Sequence, residues 1–401
     1  DSIDWHPRGN RIASGGEDRL VRIWESASGE VLLTFPMEQA VNHVEWSPDG
    51  LMLAACDVSG NIRIWDSAAG KALSETTRFT TRLENQRWID LGALRYNGLA
   101  LYSVGQYQQA VAEFRRATEL SPNSVTDLLW LANALLKVNE PEQAYQLHLR
   151  SIEIEPNNAA AQNNLGVFLL SQGRQEESIV FFRRAIAIDP SSGHYQRNLG
   201  KCYAQLDRYR DAVDALVRAQ QLDPKNPDNF STLALVHLLM EDVNGYRNTC
   251  QAMFDAFGET TDKEVARVTV WTCSLVDGAF DDYGALIELA RGMAEKHPDS
   301  HTHQTTYGAV LMRAEKIAEA ASVLERALNC SIDGLRSPAY ARYLLSMAQW
   351  KLENRDAARS YLEEANQLAA AELEASPVWN RTETLNLLRR QAEAMIVDGQ
   401  N

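Results

Sequence analysis

Three histidines, His297, His301 and His303, stand within the stretch HPDSHTH. Imidazoles are common metal ligands, so this spacing could do chemistry. No thiolate accompanies them, and the stretch falls at a turn between helical segments, so no metal is assigned. Arg197 and Lys201 sit one helical turn apart and could together hold a carboxylate. Asn133, Asn163, Asn164 and Asn198 carry amides that can donate and accept at once, as pairing with a peptide backbone requires.

Signatures of catalysis are absent. There is no G-x-x-x-x-G-K or G-x-G-x-x-G phosphate loop, no H-E-x-x-H, no G-x-S-x-G, and no HRD, DFG or APE triplet. The chain is therefore read as a non-enzyme without a cofactor. Cys56, Cys202, Cys250, Cys273 and Cys330 are odd in number and widely spaced, with no C-x-x-C pair. That pattern fits reduced thiols better than a disulfide framework or a zinc site. Asn229, Asn329 and Asn380 open glycosylation triplets, which reduced cysteines argue against.

Composition narrows the partners. The 401 residues are 45% hydrophobic and 23% charged, with a formal net charge of −15. Such acidity disfavours nucleic acid. No apolar run approaches the roughly 18 residues of a membrane span, and no signal peptide is visible. A cytoplasmic protein that binds neither membrane nor nucleic acid is expected. The chain opens DSIDWHP, without methionine and inside a strand pattern, so its natural N-terminus is expected upstream.

The elements that must position these residues are repeats. Trp5 aligns with Trp46, Pro7 with Pro48, Gly9 with Gly50, Trp24 with Trp65 and Gly29 with Gly70, always 41 positions apart. Arg11–Ser14, Leu20–Trp24 and Val31–Phe35 read as short strands between glycine-rich turns. The stretches DWHPRGNRIASGGEDRLVRIWE and EWSPDGLMLAACDVSGNIRIWD resemble the WD-repeat family of β-propellers over about the first 80 residues. The resemblance implies two four-stranded blades, 3–40 and 41–80. It also implies a buried hydrogen-bonded set, with Ser14, Asp18 and Trp24 in the first copy and Trp65 as the remaining member in the second. Propellers close with about four to eight blades, so the missing blades of the same polypeptide are expected upstream.

Behind the blades runs a second period. Pro122, Pro156, Pro190 and Pro224 are spaced by 34, each preceded by a small residue at one fixed distance: Ala117, Ser151, Ala185, Ala219. Gly98, Ala132, Gly166 and Gly200 keep the same step further back. With NNLGVFLLSQGRQEESIVFFRRAIAIDP, this resembles the tetratricopeptide (TPR) family, whose paired helices stack into a superhelix because no repeat buries its own apolar stripe. The fold expected is β + α multidomain: two propeller blades, then an all-α TPR solenoid. Its parts are five hairpins over 84–260, the fifth degenerate, irregular and TPR-like hairpins over 261–371, and a capping helix over 372–401. The last strand is expected to end near Phe79, with Thr81 to Glu84 opening the first helix as a capping box.

In the TPR family, fixed slots on each first helix face a concave groove. Here those slots hold Trp130, Asn133, Asn163, Asn164, Arg197, Asn198 and Lys201, with His194 beside them. The resemblance implies a groove for protein or peptide partners, acidic segments among them; the other reading of the same residues is family background and a solvated face. The family's carboxylate clamp for chaperone tails is incomplete, since Arg95 is followed by Leu99, and a start at the second repeat meets Leu129. The function expected is a non-catalytic interaction scaffold. The alternative is the regulatory C-terminal region of a larger signalling enzyme, because WD repeats followed by TPRs resemble the C-terminal halves of some bacterial serine/threonine kinases.

Overall fold

A computed structural model describes residues 2–7, 9, 11–47, 50, 52–58, 62–67, 78–331, 337–375 and 378–397, and of residues 78–90 the backbone alone. It divides into two compact units, residues 1–155 and 156–401.

Among the described residues, the first unit opens with seven strands. Strands β1 (Ser2–Trp5), β2 (Arg11–Gly15), β3 (Leu20–Glu25) and β4 (Val31–Pro36) form one antiparallel sheet in sequence order. Strands β5 (Val41–Trp46), β6 (Met52–Asp57) and β7 (Ile62–Asp66) form a second. The fourth strand expected of the second copy would fall largely on residues outside the described set. Alternation within each strand turns one face inward: Ala13, Val21, Ile23 and Phe35 share a core with Val44, Trp46, Leu53 and Trp65. Polar side chains tie the two copies as well. Ser2 Oγ accepts from the Val44 amide at 3.1 Å, and Asp4 Oδ2 from the Trp46 amide at 2.6 Å.

Two helical hairpins complete this unit: α1 (Arg78–Ser103) with α2 (Tyr107–Leu120), and α3 (Val125–Lys137) with α4 (Pro141–Ile154). The expected join is corrected here. Helix α1 begins at Arg78, so Phe79 is helical and Thr81 lies inside the first turn rather than capping it. No glycine or proline between Arg78 and Thr81 interrupts the helix.

Among the described residues, the named elements of the second unit are all helices. Its hairpins are α5 (Ala159–Ser171) and α6 (Gln175–Ile188), α7 (Gly193–Ala204) and α8 (Tyr209–Leu222), and α9 (Pro227–Leu239) and α10 (Val243–Phe257). They continue with α11 (Lys263–Thr272) and α12 (Gly284–Lys296), α13 (His301–Arg313) and α14 (Ile317–Leu328), and α15 (Pro338–Lys351) and α16 (Arg355–Ala375). A single helix, α17 (Trp379–Ile396), follows. Helix α16 runs past residue 371 because its alanine- and glutamate-rich end favours helix until Ser376 and Pro377.

Two features set the hairpin geometry. A residue with positive φ closes the turn between paired helices at Gly105, Asn139, Gly173, Asp207 and Glu241, a step of 34 each time. The step persists at Glu241, where the alanine and proline pattern has faded. Close approach of paired helices needs a missing side chain. A Cβ on Gly166 would lie 2.7 Å from the Phe182 ring, and one on Gly308 2.5 Å from Leu324.

Candidate peptide-binding groove

Helices α5, α7 and α9 bring most of the slot residues together. Asn198 Nδ2 donates to Asn163 Oδ1 at 2.8 Å, and Asn163 Nδ2 to Asn164 Oδ1 at 3.3 Å. The Arg197 guanidinium donates to Asn229 Oδ1 at 3.0 Å and to His194 Nδ1 at 3.0 Å. Asn198 Nδ2 stands 3.2 Å from the other His194 nitrogen. Asn163 is buried, Asn164 and Asn198 half-buried, and His194 exposed at the rim.

The electrostatics of this cluster are lopsided. Arg197 is 9% exposed, has no carboxylate partner, and its buried Nε has no hydrogen-bond partner. Half-buried Lys201 forms no hydrogen bond or ion pair among the described residues. Burial and the Arg197 charge hold the Lys201 amine below its ordinary pKa, with the Asp228 carboxylate only partly opposing them. The surrounding protein and the charges of Arg197 and Lys201 also hold the His194 imidazole below its usual value, so it is neutral at pH 7. Two cations thus lie side by side with no ion pair to either among the described residues, in a chain of net charge −15.

The other slot residues lie in the first unit. Trp130 stacks on Phe114 at 6.0 Å and meets Tyr102 edge-on at 5.9 Å, so its ring serves packing. Asn133 is half-buried with no hydrogen bond among the described residues. In the front sheets, Trp24 Nε1 donates to Ser14 Oγ at 2.7 Å. Asp18 does not join that bond; it is exposed and pairs with Arg22 at 2.6 Å, because its strand turn points it at solvent. Trp65 stacks on Phe35 at 4.8 Å, an apolar contact standing where the first copy has its hydrogen bond.

Family models match both repeat regions. A WD domain, G-beta repeat model matches residues 1–25 and 29–66. Tetratricopeptide repeat models match residues 98–139, 131–193, 194–226 and 339–372. The chain carries WD repeats followed by tetratricopeptide repeats. Solved structures similar to this WD/TPR chain include PilW, described as a widely conserved type IV pilus biogenesis factor (21% identity, 54% of this chain and 97% of that one, TM-score 0.43). Others are Pseudomonas aeruginosa pilF (20%, 55% and 97%, 0.42) and a tetratricopeptide repeat protein from Parabacteroides merdae (13%, 66% and 98%, 0.45). No curated protein matches the chain.

Some chemistry of this WD/TPR protein escaped the sequence reading. Asn229 opens a glycosylation triplet, yet it is 0% exposed; its Nδ2 donates to Asp223 O at 2.8 Å while its Oδ1 anchors Arg197. Arg95, a first candidate for the clamp, instead forks onto Asp127 at 2.6 and 2.8 Å and reaches Glu45 at 2.7 Å. Burial opposes its charge, but the two carboxylates outweigh burial and hold the guanidinium above its ordinary pKa. In the histidine stretch, His301 Nδ1 pairs with Ala327 O at 2.8 Å, His303 Nδ1 with Ser300 Oγ at 2.7 Å, and the His297 ring lies 4.6 Å from that of His303. Among the described residues no cluster of three His, Cys, Asp or Glu is placed to hold a metal. No described helix is long and apolar enough to cross a membrane.

Proposed function

We propose that this chain is an interaction scaffold whose first TPR hairpins of the second unit bind an extended peptide by a carboxylate. TPR solenoids present concave surfaces to other proteins. The observation that carries the finer reading is the pair Arg197 and Lys201, a buried guanidinium and a half-buried amine with no carboxylate partner. Burying a charge is costly unless it is paired, and a ligand carboxylate supplies the missing pair. Lys201 makes the contact, and Arg197, held in place by Asn229 and His194, is the fixed charge behind it. The amides of Asn164 and Asn198 then meet the peptide backbone. Asn133, in the first unit, has the same capacity.

The test is fluorescence anisotropy with a labelled peptide rich in Asp and Glu, against the same peptide with every carboxylate replaced by amide. A charge-assisted hydrogen bond contributes about 1.5–3 kcal/mol, so Lys201→Met should weaken binding at least tenfold. Salt should weaken the acidic peptide's binding, and the amide peptide should bind poorly at any salt. Equal binding of the two peptides, or a Lys201→Met chain that binds like the parent, would sink the proposal.

A further inference from the structure

In a solenoid each repeat touches only its neighbours. Helix α17 departs from that rule. It packs chiefly on α15 and less on α16, and it reaches back to α9. Leu385, Leu388, Ala392 and Ile396 form one buried stripe along it, at the spacing of an amphipathic helix. Trp379, at its start, packs on the core shared by α6–α9. Gln391 accepts from Arg313 of α13 at 2.7 Å and donates to Leu275 O, beyond the end of α11, at 3.1 Å, spanning 116 positions of sequence. The surface it covers belongs chiefly to α15, with parts of α16 and α9, and it meets α13 at Arg313. By these contacts α17 is seated like a ligand of the stack.

The seat is imperfect. Thr382 Oγ1 is buried without a hydrogen-bond partner. The Glu383 carboxyl is pushed above its ordinary pKa by burial and by the Asp207 carboxylate, with Arg390 opposing them. A buried hydroxyl without a partner and a carboxyl whose burial disfavours its charge both favour release. Only residues 376–378 join α16 to α17, so release needs no other element to unfold.

We propose that this face, chiefly α15 with parts of α16 and α9 and with Arg313 of α13, is a receptor for an amphipathic helix of another protein, and that α17 is its displaceable intramolecular occupant. The incoming helix carries the pattern seen in α17: Leu, Leu three residues on, a carboxamide or carboxylate after three more to meet Arg313, a small residue next, and an aliphatic residue four further. It lacks the two faults, having an aliphatic residue in place of Thr382 and no acid in place of Glu383. This surface is separate from the cation pair, and the proposal stands without that reading.

The probe is a fluorescent peptide of residues 378–397 carrying Thr382→Val and Glu383→Gln. It is titrated onto the full chain and onto the full-length Leu388→Asp variant, whose own α17 is expelled. The variant should bind at least tenfold tighter than the parent, and a peptide that also carries Leu385→Asp and Leu388→Asp should bind neither. Equal affinity for both chains, or no binding to a Leu388→Asp chain that keeps its helical circular dichroism, overturns the proposal. Hydrogen exchange on the unmodified chain tests it without a variant. The α17 amides should exchange ahead of those in α13 and α15, and exchange of all three together overturns it.

Discussion

Arg197 on α7 and Arg313 on α13 are both buried cations on first helices of hairpins in the second unit, 9% and 8% exposed. Their surroundings differ. Arg313 donates to Ser274 O at 3.0 Å, Leu275 O at 2.6 Å, Asp277 Oδ1 at 3.1 Å and Gln391 Oε1 at 2.7 Å. Arg197 has one amide oxygen and one imidazole nitrogen, with Nε left over. Removing a charge from water carries a similar cost in both places. Around Arg313 the chain supplies the compensation itself, one acceptor coming from Gln391 of α17. Around Arg197 it does not, and the region is left for a ligand. Within one repeat architecture, the completeness of the acceptor set separates a cation that holds the fold from one that awaits a partner.

The sharpest way to break this contrast is Arg313→Met. It strands the buried Ser274 carbonyl and the Gln391 amide oxygen, and urea unfolding of the full chain should show a loss of roughly 3 kcal/mol; a loss below about 1 kcal/mol would mean the acceptor set does not hold the fold. His148 supplies a third case, a buried ionisable group kept neutral. Burial lowers its pKa to about 4, against about 6.5 unfolded. Between those values the unfolded chain binds a proton that the folded chain refuses. Stability should therefore be full above pH 6.5 and fall by about 3 kcal/mol as pH drops toward 4. His148→Leu should remove that share of the acid sensitivity in pH-dependent unfolding.

Smaller effects sharpen the comparison from the side of packing. Gly166→Ala beside Phe182 and Gly308→Ala beside Leu324 each press a Cβ into a neighbouring side chain. Overpacking of this kind costs about 1–3 kcal/mol, and similar losses in thermal melts would show that the two regions share one hairpin geometry. The smallest stability effect belongs to Arg197→Met, within about 1 kcal/mol, because relief of an unpaired buried charge offsets the loss of its bond to Asn229. The same variant should lose at least tenfold in affinity for the acidic peptide. A large loss of stability there would place Arg197 with Arg313 and erase the distinction.

Much of the fold was legible in local spacing. The 41-residue step located the strand-rich copies, and the 34-residue step located the regular hairpins, because a hairpin's packing depends on residues a fixed short distance apart. Gly166 and Phe182 are such a pair, 16 positions apart on facing helices. The join at Arg78 was misread because Thr81 to Glu84 has the composition of a cap, while nothing before it breaks the helix. The part Asn229 plays beside Arg197 was not legible, because a sequence triplet carries no information on burial or on what the fold places next to it.

The sequence by itself determined which segments are helices, which are strands, and which slots along them carry amides and cations. Propensity, periodicity and turn chemistry act over one or two turns of chain, so they are written locally. Only the tertiary structure decided that Arg95 is consumed by Asp127 and Glu45, that Arg197 has no ion pair among the described residues, and that α17 folds back to Arg313 and Leu275. Those outcomes depend on groups brought together across tens to more than a hundred residues. A buried charge is compensated by whatever the fold places beside it, and no local pattern records what that is.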